Sequence, residues 1–272
     1  MCGNPPPGRS VLQDEKCPCI SGSKGLLLPY ELRRLMGKIE ELEPKTIPKS
    51  KMLISIIIPI KDEPAIQGLV DTINSMIMQN HEIIIVDKSK VKPNIKDAQL
   101  LTQESDGLGN AFLEGLSRST GDIIALMDGD GSHRPQDLLR MLEKIDEYDI
   151  VLGSKLVKGG MSCDTPGRKI VTLAFAWITR LILWVDIKDP MTGLMLARRD
   201  VFRNIKLKPR GFKIVIEIVY KSRAKTLEVP ISFCERMDGS SKAGFNWNGL
   251  KESCRIIHIL YELKWGRICG HW

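Results

Sequence analysis

The sequence predicts an α/β domain organised as a mostly parallel, doubly wound sheet. Three observations carry that expectation. Short, near-continuous apolar runs such as Leu53 to Ile58 read as strands buried on both faces, which need helices on each side. Segments with helical spacing of apolar residues alternate with those runs, and such alternation favours parallel pairing through right-handed crossovers. The run from Ile123 leads into a pair of carboxylates, as at the carboxyl edge of an open sheet, where ligands bind.

Taken in order, the chain divides into an N-terminal extension (residues 1–50), a main domain (51–245) and a basic, Trp-containing C-terminal helix (246–272). Asn4, Pro5, Pro6, Pro7 and Gly8 open the extension without the apolar core of a signal peptide, and roughly its first 25 residues are expected to be mobile. Leu32, Leu35, Met36, Ile39 and Leu42 then recur at helical spacing through Tyr30 to Glu43, an amphipathic helix closed by Pro44 and Pro48. The main domain starts at Met52. Pro59 ends its first strand, residues 65–78 supply a helix, and Glu82 to Val86 give a second buried strand that stops at Asp87. Gly107, Leu108 and Gly109 open a helix through Asn110 to Ser117, and Gly121 leads into the strand at Ile123. Pro135 suits the first turn of a helix running to about Asp146, and Asp149 to Gly153 reads as the next strand.

The formal charge of +7 is unevenly placed, because residues 198–272 hold 16 Lys/Arg against 7 Asp/Glu. A basic face therefore lies toward the C-terminus, suited to nucleic acid, anionic lipid or a phosphorylated substrate. An odd number of cysteines without a disulfide-like framework favours a reducing setting. Cys17 and Cys19, with Cys2 upstream, have no neighbouring His and lack zinc-ribbon spacing, so free thiols are expected there.

Asp128, Gly129 and Asp130 carry the chemistry. Two hard oxygen donors at i, i+2 suit Mg²⁺ or Mn²⁺ with positions left open for a diphosphate. Asp and Gly also dominate ordinary turns, so the pattern takes its meaning from its company along the chain. Only four His are present, with no obvious His/carboxylate pairing, and His133 reads as a loop residue at the head of the following helix. A hydroxyl acceptor would call for a general base, whereas a phosphate acceptor, with a second pKa of about 6, is already ionised.

Pro59-Ile60-Lys61-Asp62-Glu63, Ile85-Val86-Asp87, Gly107 to Ala111, Asp128-Gly129-Asp130, Gly153-Ser154-Lys155, Asp189-Pro190-Met191-Thr192-Gly193 and Glu235-Arg236 with Gly239, Ser241 and Lys242 occur in one order. This ordered set, spanning Leu53 to Lys242, resembles the dolichol-phosphate mannose synthases, inverting family 2 glycosyltransferases of the GT-A fold. The resemblance implies transfer of mannose from GDP-mannose to dolichyl or another polyprenyl phosphate, with Mg²⁺ or Mn²⁺. It implies a peripheral protein on the cytoplasmic side of a membrane, at the endoplasmic reticulum in a eukaryote or the plasma membrane in a prokaryote. A small membrane-anchoring subunit is a further partner it brings.

By the same resemblance, Pro59, Lys61, Glu63, Val86 and Asp87 hold the nucleoside, while Asp128, Gly129 and Asp130 form the donor and metal site with Ser132 as a further metal ligand. Lys155, Arg236 and Lys242 fall on the donor phosphates, and Arg168 faces the acceptor phosphate. Asp128, Asp130 and Arg236 are the catalytic assignments. Arg236 and Lys242 flank Gly239, Ser240 and Ser241, the expected tip of a mobile loop closing over the donor. Three positions depart from the pattern: Lys88 replaces a second Asp, Lys61 an aromatic, and Lys155 an Arg. Lys88 cannot accept hydrogen bonds from a base, and Lys155 is a point charge rather than a bidentate fork.

Ile170 to Ile187 is the longest apolar stretch, but Arg180 interrupts it and eighteen residues barely span a bilayer. Trp177 and Trp184, two turns apart, would share a face and suit the lipid interface. The segment from Trp247 to Trp265, with Lys251, Arg255, Lys264 and Arg267, is a second candidate of that kind. Two other functions fit parts of the pattern. One is a related transferase using UDP-glucose or UDP-N-acetylglucosamine with a lipid or polysaccharide acceptor. The other is a non-catalytic subunit or basic binding protein. Nucleic acid is not expected as a partner, since RNA-module aromatics are missing and aromatic content is only 6%.

Overall fold

The computed structural model describes residues 52–208, 214–233 and 247–268, with side chains of the last segment described for 257–267. The helix expected at Tyr30 to Glu43, the Cys17/Cys19 pair, and Arg236 and Lys242 with their loop all lie outside the described residues. The central strand β1 (Ile54–Ile60) pairs in parallel with β2 (His81–Asp87) on one side and β4 (Ile123–Leu126) on the other. Outside β2 lies β3 (Gln99–Thr102), and beyond β4 come β7 (Met195–Arg198), β5 (Ile150–Ser154) and β8 (Thr226–Pro230), giving the order β3-β2-β1-β4-β7-β5-β8. Among the described residues, β7 alone in this sheet runs against the others, antiparallel to both β4 and β5. The sheet is therefore mixed but mostly parallel, as expected.

Alternation along the central strands explains why their sequences are apolar throughout. Ile57, Ile84, Val86, Ile124 and Leu126 face one core. Ile56, Ile58, Ile83, Ile85, Ile123 and Ala125 face the other. Each face is roofed by helices: α2 (Leu108–Arg118) places Phe112 in the first core, while α1 (Ile66–Met76) and α3 (Pro135–Leu142) place Val70, Ile73, Leu138 and Met141 in the second. The helix from Pro135 is shorter than expected. It ends at Leu142, and the chain reaches β5 through turns instead of continuing helical to Asp146.

The second half adds α4 (Pro166–Leu183), α5 (Ile214–Ser222) and α6 (Trp247–Ile268), and a 3-10 turn follows β7 at Arg199–Phe202. Phe175 and Leu183 of α4 join Ile259, Leu260 and Leu263 of α6 in the first core. A small parallel pair, β6 (Met161–Ser162) with β9 (Ser232–Phe233), sets Ser162 opposite Phe233. Buried Asp137 in α3 anchors that pair by accepting the Ser232 N–H at 3.2 Å, and it also binds Arg140.

At the opposite edge from the ligand side, Glu82 closes the strand ends. It accepts the Ser55 hydroxyl at 2.5 Å, the Thr120 N–H at 2.7 Å and the Thr120 hydroxyl at 3.0 Å, while the Gly121 N–H donates to buried Ser55 Oγ. Burial alone would raise its pKa, yet these hydrogen bonds outweigh it and hold the carboxyl below its ordinary 4.5. The ionised form is thus the one the fold favours, and its contribution is present above the ordinary value and lost as pH falls through the lower, folded-state value. Glu82→Gln is expected to cost about 1 to 2 kcal/mol near pH 7. Urea titrations at a series of pH values should show that difference narrowing as the wild type is acidified below 4.5.

Candidate active site

Because β2, β1 and β4 are neighbours with a common direction, the residues that follow them meet at one edge of the sheet. Pro59 and Val86 are register partners near the ends of β1 and β2, as are Ile60 and Asp87. Beyond them the two loops brace each other. The Asp62 N–H donates to Ser89 Oγ at 2.7 Å, the Lys90 N–H donates to the Asp62 carboxylate at 3.1 Å, and the Ser89 N–H donates to Asp87 Oδ1 at 2.8 Å. Asp62 takes a φ of 56° at this turn, beside exposed Lys61 and half-buried Glu63. Lys88 turns toward the loop ahead of α2, donating to the carbonyls of Gln103 and Glu104 at 3.4 and 3.2 Å and pairing with Asp106 at 3.2 Å.

Asp128, Gly129 and Asp130 follow β4 onto the same edge. A Cβ on Gly129 would stand 2.5 Å from Ile60 Cγ2, so this position must be glycine for the acidic loop to lie against β1. Gly193 backs the loop from the other side, where a Cβ would stand 2.5 Å from Asp128 Oδ2. Asp130 Oδ1 accepts the Ser132 N–H at 3.0 Å. His133 is indeed in the loop before α3, but it is 2% exposed, and its Nδ1 lies 3.5 Å from Asp128 Oδ2. The hydroxyl of Ser132 and the Nδ1 of His133 are buried without a hydrogen-bond partner, two polar atoms beside two carboxylates. Among the described residues, no group of three His, Cys, Asp or Glu comes together around one point.

The reversed direction of β7 puts the loop that enters it, 189–193, on this edge as well. Asp189 is 1% exposed and accepts the Lys155 N–H at 3.2 Å and the Met191 N–H at 3.3 Å, so it shapes the turn that leaves β5. Burial drives its carboxyl above the ordinary range, and neighbouring Glu228 adds to that, against the opposing backbone hydrogen bond and charge of Lys155. From that turn the Lys155 side chain reaches Asp164 Oδ2 at 2.5 Å, with Nζ 4.4 Å above the Phe233 ring. Arg168, in the first turn of α4, approaches the other oxygen of Asp164 at 3.5 Å. The His133 ring meets the same Phe233 at 5.5 Å between centroids, so Phe233 sits between the carboxylate loop and the cationic pair.

Lys155 and Arg168 are thus brought together around Asp164, whereas Asp128 and Asp130 stand with Ser132 and His133. Sequence reasoning missed Asp164, Ser162 and Phe233. The i, i+4 spacing of Asp164 and Arg168 was a usable local signal, but the approach of Lys155 and Phe233 is made only by the fold.

Crossed loops on β1 and β2 with an acidic pair on β4, at the carboxyl edge of a mostly parallel sheet, define a protein of the GT-A fold. Within that class a profile of glycosyl transferase family 2 matches residues 55–206, over half of the chain, and the chain belongs to that family. It is 33% identical over 231 residues to the dolichol-phosphate mannosyltransferase of Pyrococcus furiosus, covering 79% of this chain and 64% of that protein. To the undecaprenyl-phosphate mannosyltransferase of Micrococcus luteus it is 34% identical over 148 residues, 50% of this chain and 60% of the relative. The polyprenol monophosphomannose synthase of Mycolicibacterium smegmatis is 28% identical over 222 residues, 74% of this chain and 84% of the relative. The chain therefore spans less than two thirds of the first two relatives. Among solved structures, glucosyl-3-phosphoglycerate synthase from Mycobacterium tuberculosis superimposes with a TM-score of 0.61 at 17% identity, over 82% of this chain and 81% of that one, a likeness of fold.

Gly193→Ala tests the backing of Asp128. The added methyl is expected to push that carboxylate aside and weaken sugar-nucleotide binding about tenfold, the scale of one misplaced charge-assisted contact. Gly167, where a Cβ meets nothing within 4 Å, provides the control, and Gly167→Ala should bind as the wild type does in the same calorimetric titration.

Proposed function

We propose that the protein transfers mannose from GDP-mannose to a polyprenyl phosphate, with inversion at the anomeric carbon. The observation that carries the reading is that a pocket lined by Lys155 and Lys169 and an exposed apolar surface share one helix. Lys155, expected at the donor phosphates, instead shares Asp164 with Arg168 of the first turn of α4, so this reading moves it to the acceptor side, beside a pocket of about 240 Å³, while Ile170, Leu173, Trp177 and Leu181 stand exposed along the outer face of the same helix. An acceptor with a phosphate head and an isoprenoid tail fits that layout. Similarity to three polyprenyl-phosphate mannosyltransferases supports the same acceptor.

The reaction needs little proton chemistry. An ionised phosphate oxygen of the acceptor attacks C1 of mannose, the bond from C1 to the β-phosphate oxygen of GDP breaks, and GDP leaves with the electron pair. Asp128 and Asp130, with the partnerless hydroxyl of Ser132, are the residues that would hold Mg²⁺ or Mn²⁺. When bound, the ion supplies neutralisation of the leaving diphosphate. Such hard oxygen donors would suit either cation. His133 lies beside Asp128, and the braced loops after β1 and β2 would receive the nucleoside.

Association with a membrane surface belongs to the same proposal. No described helix is long and apolar enough to cross a bilayer. Instead, α4 exposes its apolar stripe up to Trp184, and α6 exposes Ile257, Tyr261 and Trp265, with Lys264 Nζ 5.1 Å above the Trp184 ring. Indole rings beside cations suit the headgroup layer of an anionic leaflet. The proposal keeps the peripheral, cytoplasmic-side attachment that the family resemblance implies.

Purified protein given labelled GDP-mannose, polyprenyl phosphate and Mn²⁺ should form a lipid-extractable mannosyl product, and UDP-glucose in its place should not. Transfer from UDP-glucose alone would overturn the donor assignment. Asp130→Asn is expected to lower transfer on the order of a hundredfold or more, since a neutral amide is a poor ligand for a dication. Separately, Trp177→Ser with Trp184→Ser should weaken flotation with anionic vesicles about tenfold, and an unchanged flotation profile would refute attachment through α4.

A further inference from the structure

We propose that Asp164 is a built-in counter-anion of the acceptor-phosphate subsite, whose carboxylate occupies Lys155 and Arg168 until a phosphate takes them, and so sets how strongly the site binds phosphate. This rests on the reading above, in which the acceptor phosphate lands on that cationic pair. Asp164 is 6% exposed, yet its oxygens point at groups a phosphate would use. Oδ2 receives Lys155 Nζ at 2.5 Å and the Ser162 hydroxyl at 2.7 Å, and Oδ1 faces Arg168 at 3.5 Å. The adjoining pocket is lined by Lys155, Ser162, Asp164, Lys169 and Thr172, so a ligand entering it meets these groups first.

A carboxylate is a monoanion with two oxygens, whereas an ionised phosphate monoester carries up to two charges and three terminal oxygens. The phosphate can therefore outcompete Asp164 for the two cations, while singly charged ligands cannot. Once displaced, the carboxylate remains nearby and repels the newcomer, which lowers the affinity of the site for any phosphate. The register of β6 with β9 supports this arrangement, because it fixes Ser162 opposite Phe233 and leaves Asp164 next to Lys155. Burial alone would raise the Asp164 pKa, but Lys155, Ser162 and Arg168 lower it, so the fold favours the charged carboxylate.

Asp164→Asn keeps the shape and removes the charge, and Asp164→Ser removes the group. Both are expected to bind inorganic phosphate about tenfold more tightly by calorimetry than the wild type, and Asp164→Asn should lower KM for polyprenyl phosphate with the KM for the sugar nucleotide unchanged. Unchanged or weaker phosphate binding in both folded variants would mean that Asp164 only positions Lys155, and would overturn the proposal. In the wild type itself, the carboxyl ¹³C resonance of Asp164 should shift as phosphate saturates the site, and a resonance that does not move would overturn it even if neither variant folds. If phosphate binding tightens in the variants while none of the proteins transfers mannose to polyprenyl phosphate, the function proposed above fails and the counter-anion stands.

Discussion

The direction of a single strand decides what surrounds the acidic loop. With β7 antiparallel between β4 and β5, the segment entering β7, rather than the one leaving it, lies on the ligand edge. That places Gly193 within a methyl's reach of the Asp128 carboxylate and Asp189 against the backbone of Lys155. A parallel β7 would bring the opposite end of the strand, Arg198 and the 3-10 turn, to the site. Asp128 would then lose its wall and Lys155 its anchor. The buried, raised-pKa Asp189 is best understood in this light, as a carboxylate held out of water because backbone N–H groups need an acceptor there.

Both faces of the central strands are consumed by packing, so the only freedom left to β1, β2 and β4 is at their ends. Ile56, Ile57, Ile58, Ile84, Ile85, Ile124 and Leu126 are all fully buried. Side chains in so dense a layer hold the strand ends with little slack, and the loops that follow inherit that precision. The cross-bracing of Asp62 with Ser89 and Lys90 then replaces the regular ladder hydrogen bonds once the strands stop.

How much of this was legible in the sequence varied with how local the cause is. β1, β2, β4 and β5 were readable because a two-sided burial leaves an unbroken apolar run, and α2 and α3 were marked by Gly107 and Pro135. β3 was not readable, since Gln99–Thr102 is an edge strand with exposed ends. Nor was β7, four residues whose pairing is dictated by β4 and β5 rather than by its own pattern. The acidic pair after β4 was singled out by motif and Arg168 by resemblance, but the grouping of Lys155, Ser162, Asp164 and Phe233 was not foreseen. It depends on the β6 and β9 pairing of segments far apart in the chain, which no local spacing records.

Charge is segregated across the site, with carboxylates on one side and a Lys and an Arg on the other. The carboxylates follow β4 and the Lys155 turn follows β5, with β7 between them, so the two strand ends are roughly 10 Å apart, two strand spacings. At that distance, in partly solvated surroundings, Lys155 and Arg168, which pair with Asp164, do not quench Asp128 and Asp130. Phe233, touching both His133 and Lys155, fills the gap with an apolar ring where a charged side chain would have joined the two fields. The two sets of charged side chains are thus kept apart, and the spacing between them is again set by the strand inserted between β4 and β5.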